Sequence, residues 1–175
     1  ERIVQVTPTE EYFSVNWQMG IRCNYDCMYC PAIYHDNNSS HHSLETLKNT
    51  WNSVYEKTQC AKYKISFTGG EPMLYQQSMI DIIREFERRG NMPNIVTVET
   101  NATKELGKPL EDFLYGPVNE RGELEPTGFY DIGGKIWHWA MSPKLFNTSG
   151  ENDAVNVDVI KSYAKTPSSS IIKFV

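Results

Sequence analysis

Lys62–Thr68 (KYKISFT), Gly69–Pro72 (GGEP), Met73–Gly90 (MLYQQSMIDIIREFERRG) and Ile95–Glu99 (IVTVE) decide the fold between them. The first segment interleaves aromatic and β-branched residues with polar ones, the pattern of a half-buried strand. Gly69-Gly70 stops it. Met79, Ile80, Ile83 and Phe86 then recur at three- and four-residue steps, which predicts a helix from about Gln76 to Arg89, with Gly90 as its C-terminal stop. Ile95–Glu99 reads as a strand again. A strand, a helix and a second strand of these lengths form a right-handed βαβ unit with parallel strands.

The same alternation continues outward. On the N-terminal side, Glu11–Gln18 (EYFSVNWQ) reads as a strand and His35–His42 (HDNNSSHH) as a polar loop. A helix from Leu44 follows, with Leu47, Trp51, Val54 and Tyr55 on one face and Ser43 as its N-cap. On the C-terminal side, Lys104–Gly134 is rich in Pro and Gly and reads as an irregular connection with a short helix near Glu111–Leu114. Lys135–Met141 (KIWHWAM) is a further strand. Asp153 is placed to cap a helix carrying Val155, Val159, Ile160 and Tyr163, and Ile171–Val175 (IIKFV) closes the chain as a strand. The expected architecture is α/β, an incomplete parallel barrel, since the units are too few for eight strands. Residues 1–175 make one domain, and ending on a strand suggests truncation before the natural C-terminus.

Four Trp, ten Tyr and seven Phe among 175 residues supply enough large apolar surface for a single core. A net charge of −5 without a Lys/Arg run argues against a nucleic-acid surface. No apolar stretch approaches the ~20 residues that span a bilayer, and the opening ERIVQV lacks a signal-peptide pattern. A soluble, cytoplasmic protein without membrane or nucleic-acid partners is the expectation.

Chemistry concentrates at strand C-termini, where parallel sheets gather their ligands. After the first strand comes Cys23-Asn24-Tyr25-Asp26-Cys27-Met28-Tyr29-Cys30, spaced C-x3-C-x2-C. Three thiolates on one short loop can hold three corners of a 4Fe–4S cube and leave the fourth iron open. The competing reading is a zinc knuckle completed by His35 or Cys60. Cys60 otherwise reads as a small buried hydrophobe, and His35, His41 and His42 as a solvated loop. Thr68–Pro72 ends the second strand, Glu99–Thr103 (ETNAT) the third and Ser142–Lys144 (SPK) the fourth. Taken singly, each of these could be an ordinary polar turn. His138 lies between Trp137 and Trp139 and could face a substrate or simply pack. Arg84, Arg88 and Arg89 read as surface pairs with acidic neighbours.

The cysteine spacing and the Gly69-Gly70-Glu71-Pro72 segment together resemble the radical S-adenosylmethionine (SAM) superfamily. The resemblance implies that SAM chelates the open iron and that one-electron cleavage yields a 5′-deoxyadenosyl radical. It implies ligation by Cys23, Cys27 and Cys30, packing of Tyr29 on the SAM adenine, and recognition of the SAM ammonium by Thr68, Gly69, Gly70 and the Glu71 carboxylate. ETNAT, SPK and the closing IIKFV further resemble 7-carboxy-7-deazaguanine synthases, which implies that Thr100, Asn101, Ser142 and Lys144 touch SAM. That family converts 6-carboxy-5,6,7,8-tetrahydropterin into 7-carboxy-7-deazaguanine on the queuosine route. The N-terminal third departs from it. The family's Gln-Gly-Glu-Gly segment is absent, Met19 replaces an arginine with Arg22 close by, and Pro31-Ala32 replace an Asp-Thr pair whose threonine helps bind magnesium. Arg22 and His138 are candidate substrate contacts. A magnesium ion and a homodimer stay open, and a reductant such as flavodoxin or ferredoxin is implied. The alternatives are a glycyl-radical-enzyme activase and a zinc-stabilised, non-catalytic binding module.

Overall fold

The computed structural model describes residues 4–8, 12–31, 36, 44–58, 62–152, 154–164 and 169–174. Its strands are β1 (Val4–Pro8), β2 (Phe13–Gln18), β3 (Tyr63–Thr68), β4 (Ile95–Thr100), β5 (Ile136–Met141) and β6 (Ser170–Ile172). The helices are α1 (Leu44–Thr58), α2 (Gln76–Arg88), α3 (Lys108–Tyr115), the single turn α4 (Phe146–Ser149) and α5 (Val157–Ala164). The strands lie side by side in chain order. β1 runs antiparallel to β2, and β2 through β6 are parallel. Because the order never reverses, right-handed crossovers carry the connecting helices onto one face of the sheet.

That face holds the core. Val15, Trp17, Tyr63, Ile65, Phe67, Val96, Val98, Trp137 and Trp139 alternate along their strands and are wholly buried. Phe86 of α2 meets Trp17 edge-on at 6.2 Å and Tyr63 at 6.0 Å. Trp139 stacks on Tyr163 of α5 at 4.3 Å and 9°, and the Tyr163 hydroxyl donates to the Lys104 carbonyl. Aromatic pairs in such geometries add about 0.5–1.5 kcal/mol beyond burial, so α2 is fixed on β2 and β3, and α5 on β5, by rings as well as by area. Residues on the alternate positions of the same strands, Ser66 and Thr97 among them, point to the other face and are partly exposed.

Several expectations change in detail. The sequence reading starts its strands at Glu11, whereas β1 precedes it, on a VQVT alternation that is itself a strand pattern. A 3-10 turn, Pro72–Tyr75, precedes α2, with Glu71 as its cap. α5 starts at Val157, where Asn156 Oδ1 accepts from Val159 N at 3.1 Å. Val155 therefore lies ahead of the helix and is exposed. Arg88 and Arg89 pair with Glu85 at 2.8 and 2.7 Å. The Arg88 hydrogen bond, ahead of that from Arg89, holds the Glu85 carboxyl down at about 2. Arg84 instead lies 5.6 Å over the Phe113 ring. Ser43, Asp153, Cys60, His35, His41 and His42 lie outside the described residues. Among the described residues no helix is long and apolar enough to cross a membrane.

Phe86 is the ring on which β2, β3 and α2 converge. Phe86→Ala should cost about 3–5 kcal/mol in urea unfolding. A loss below about 1 kcal/mol would contradict this account of the core.

Candidate metal centre

The C-terminal end of β3 runs alongside the chain leaving β2. Met19 N donates to Thr68 O at 2.9 Å, Gly70 N to Gly20 O at 2.9 Å and Glu71 N to Arg22 O at 2.9 Å. The two segments approach so closely that a Cβ on Gly70 would lie 2.2 Å from Arg22 O, and one on Gly69, whose φ is +124°, 2.4 Å from Gly20 O. Only glycine fits both positions. The first physical need for Gly69-Gly70 is thus to let backbone meet backbone where the cysteine loop begins.

Glu71 then turns inward. It is 1% exposed and does not line the cavity beside the cysteines. Its Oε1 accepts from Met73 N at 2.9 Å and Thr100 Oγ1 at 2.7 Å, and its Oε2 from Asn101 N at 2.7 Å. Burial raises its carboxyl above the usual range, partly offset by the bonds from Asn101, Thr100 and Met73 and by the Lys144 charge. The expected contact of Glu71 with the SAM ammonium is not what this geometry provides. A carboxylate with three internal donors is a tie between the ends of β3 and β4.

Beyond that tie, ETNAT grips the cysteine loop. Asn101 Nδ2 donates to Asn24 Oδ1 at 3.0 Å, and Asn24 Nδ2 to Thr103 Oγ1 at 3.1 Å. Thr103 Oγ1 in turn donates to Asn101 Oδ1 at 2.6 Å. Ala102 adopts φ 58°, the one positive φ outside glycine among the described residues. From α4 and the residues after it, Glu151 Oε1 accepts from Asp26 N at 2.6 Å, and Ser149 O accepts from Met28 N at 3.0 Å. Asn24, Thr103 and Glu151 went unrecognised in the sequence because each acts on a loop distant in the chain.

These ties gather Cys23, Cys27 and Cys30 around one cavity of about 220 Å³, with Tyr25, Tyr29, Thr68, Gly69, Gly70, Glu99, Thr100, Asn101, Ser142 and Lys144 in its walls. Of the nine cofactor contacts that the sequence predicts besides the thiols, all but Glu71 line it. Arg22 and His138 do not. Arg22 is held at the start of the loop, its N–H donating to the Tyr75 hydroxyl at 3.2 Å. Tyr25 and Glu99 are additional lining residues. Glu99 could have been found from the strand alternation, which sends it to the face opposite Val98.

The donor set fits an iron–sulfur cube. The three cysteines are free thiols. All three line one cavity, and thiolates are the ligands such a cluster takes, three of them leaving one iron without a protein ligand. Burial raises the Cys23 and Cys27 thiols; hydrogen bonding from Tyr29 and the Lys144 charge work against this at Cys27. The Lys144 ammonium lies 5.6 Å from the Tyr29 ring centroid. It is a cation beside sulfurs that must become anionic to bind iron. The remaining wall offers hydroxyls, a carboxamide, the Glu99 carboxylate and the glycine backbone for a polar cofactor.

Gly70→Ala should push the cysteine loop away and reduce iron retained after anaerobic reconstitution by more than half. Gly133→Ala, where an added Cβ meets nothing within 4 Å, should retain it. Equal iron in both variants would contradict the close-approach argument.

The family model described as a 4Fe-4S single cluster domain matches residues 15–115. The chain is 30% identical over 96 residues to an S-adenosylmethionine-dependent nucleotide dehydratase of Pseudoalteromonas ulvae, covering 47% of this chain and 31% of that protein. It is 29% identical over 147 residues to a GTP 3′,8-cyclase of Vibrio vulnificus, covering 79% and 43%. A GTP 3′,8-cyclase of Peptoclostridium acidaminophilum is 30% identical over 80 residues, covering 46% and 24%. The chain spans less than half the length of each of these relatives. With the family match extending over more than half of its residues and three thiols around one cavity, the chain belongs to the 4Fe-4S single cluster domain family, within the radical SAM superfamily, and its cofactors are a 4Fe–4S cluster and SAM.

Proposed function

We propose that this protein is a 7-carboxy-7-deazaguanine synthase-like carbon–nitrogen lyase acting on 6-carboxy-5,6,7,8-tetrahydropterin. The observation that carries the reading is the meeting of ETNAT and SPK, from neighbouring strand ends, in the walls of the cavity that the cysteines ring. Bound there, the cluster and SAM would supply one-electron chemistry for hydrogen abstraction from the substrate. The chain's own residues do the remaining work. Cys23, Cys27 and Cys30 hold iron. Tyr29, Thr68, Gly69, Gly70, Thr100, Asn101 and Ser142 contact SAM, and Lys144 offers a cation to a carboxylate. Glu71 and Asn24 keep the wall in place.

In this reading the sheet is one side of an incomplete barrel, as its sequential strand order favours. The protein acts in the cytoplasm and takes electrons from a flavodoxin or ferredoxin. Pro31-Ala32 stand in sequence where the synthases place an Asp-Thr pair whose threonine helps bind magnesium, so magnesium assists less than in that family, a hard oxygen ligand being lost with the threonine. A nucleoside triphosphate is the second reading, favoured by the identity to GTP 3′,8-cyclases.

Incubation of reconstituted protein with 6-carboxytetrahydropterin, SAM and dithionite should yield 7-carboxy-7-deazaguanine and ammonia. Deoxyadenosine should not accumulate in step with product, because the product radical takes its hydrogen back. Mass spectrometry showing SAM cleavage without deazaguanine, with or without magnesium, would remove the synthase reading and leave the superfamily.

A further inference from the structure

The sheet face opposite the core carries a straight polar row. Asn16 pairs with Ser66, Ser66 with Thr97 and Thr97 with His138 across four adjacent parallel strands, so all four side chains leave the sheet on the same side. Asn16 is exposed and the other three are partly exposed. The buried core lies on the other face. Asn16, Ser66 and Thr97 have no side-chain hydrogen-bond partner among the described residues. His138 Nδ1 shares a hydrogen with Ser169 Oγ at 2.7 Å, which fixes the ring and leaves Nε2 without a partner among those residues.

The row is continuous with the cluster cavity. Thr68 and Glu99, two residues further along β3 and β4, project from the same face and line that cavity. Two residues of strand advance the chain by about 6.6 Å. A molecule lying on the row therefore reaches the cavity with its far edge, without having to occupy the SAM wall.

The chemistry of the row selects its occupant. An amide, two hydroxyls and an imidazole can each donate or accept a hydrogen bond. The row thus suits an edge on which donors and acceptors alternate better than a chain of phosphates. Adjacent strands stand ~4.8 Å apart, comparable with the separation of oxo and amino groups flanking one ring nitrogen. Ser66 to His138 spans about 10 Å on this spacing, the length of a fused bicyclic ring with its substituents. A flat ring also needs the absence of bulky side chains, and serine and threonine at the centre of the row provide it.

We propose that the Asn16–Ser66–Thr97–His138 row is the substrate floor of the cluster site and recognises a fused nitrogen heterocycle by its hydrogen-bonding edge. The assignment of carboxypterin as that heterocycle rests on the function proposed above; the row itself does not. The test is fluorescence titration of anaerobically reconstituted protein with 6-carboxypterin, the stable oxidised analogue, alongside guanosine and GTP by equilibrium dialysis. Ser66→Ala, Thr97→Val and the double variant delete hydroxyls without adding bulk. The double variant should weaken heterocycle binding at least tenfold while its affinity for SAM changes less than twofold, and each single variant should fall between. Thermal melting checks that the variants are folded, and His138→Gln, which keeps a donor and an acceptor, should bind better than His138→Leu. Guanosine or GTP bound by the wild type in place of carboxypterin, and weakened by the variants, upholds the row and removes the carboxypterin reading. Carboxypterin bound equally by wild type and variants overturns the row and leaves that reading intact. Binding of none of the three heterocycles by the wild type at millimolar concentration overturns the row as well.

Discussion

The site depends on a backbone contact that only glycine allows. Where β2 and β3 end, the two chains stay hydrogen-bonded for three more residues, and Gly69 and Gly70 press against Gly20 and Arg22 with no room for a side chain. The direction in which the cysteine loop leaves the sheet follows from that contact. The Glu71 carboxylate extends the constraint to β4 through Thr100 and Asn101, and the Asn24–Asn101–Thr103 network returns it to the loop. A closed circuit of this kind holds thiols in place before any metal arrives, which lowers the ordering cost that metal binding would otherwise have to meet.

Lys144 gives the cavity its electrostatic sense. Its charge favours the ionised forms of the Cys27 thiol and the buried Glu71, and it lies over the Tyr29 ring. Burial alone would disfavour every thiolate here. A cation in the wall, with the metal's own charge, reverses that preference. Away from Lys144 the walls change to hydroxyls, an amide and the Glu99 carboxylate, and beyond Glu99 the site gives way to the uncharged row of the open sheet face. Recognition of an anionic cofactor group and of a neutral ring edge can then be separated along one strand direction.

Much of this was legible in the sequence, for identifiable reasons. The apolar steps of Met79, Ile80, Ile83 and Phe86 define α2, and the alternation around Ile65 and Phe67 defines β3, since both periods follow from burial of one face. The cysteine spacing, GGEP, ETNAT and SPK were legible as strand-end segments, and the fold brings them to one cavity. Long-range partnerships were not legible. Nothing local says that Glu71 will face Asn101 and not solvent, or that Glu151 will accept from Asp26 across 125 residues. The start of α5 was misplaced because Asp153 and Asn156 are both good N-caps, and packing of Val159 and Tyr163 selected the latter. The polar row emerges only once strand register is known, because register decides which of the alternate residues become neighbours.

The central claim is that Cys23, Cys27 and Cys30 present a 4Fe–4S cluster with one iron open to SAM. Electron paramagnetic resonance of the dithionite-reduced, reconstituted protein tests it most directly, recorded with and without SAM and with SAM carrying an isotopically labelled methionine nitrogen. The account predicts a reduced 4Fe–4S signal that shifts when SAM is added and shows coupling to the labelled nitrogen. A signal unaffected by SAM, or a colourless protein holding a single zinc ion, would contradict it.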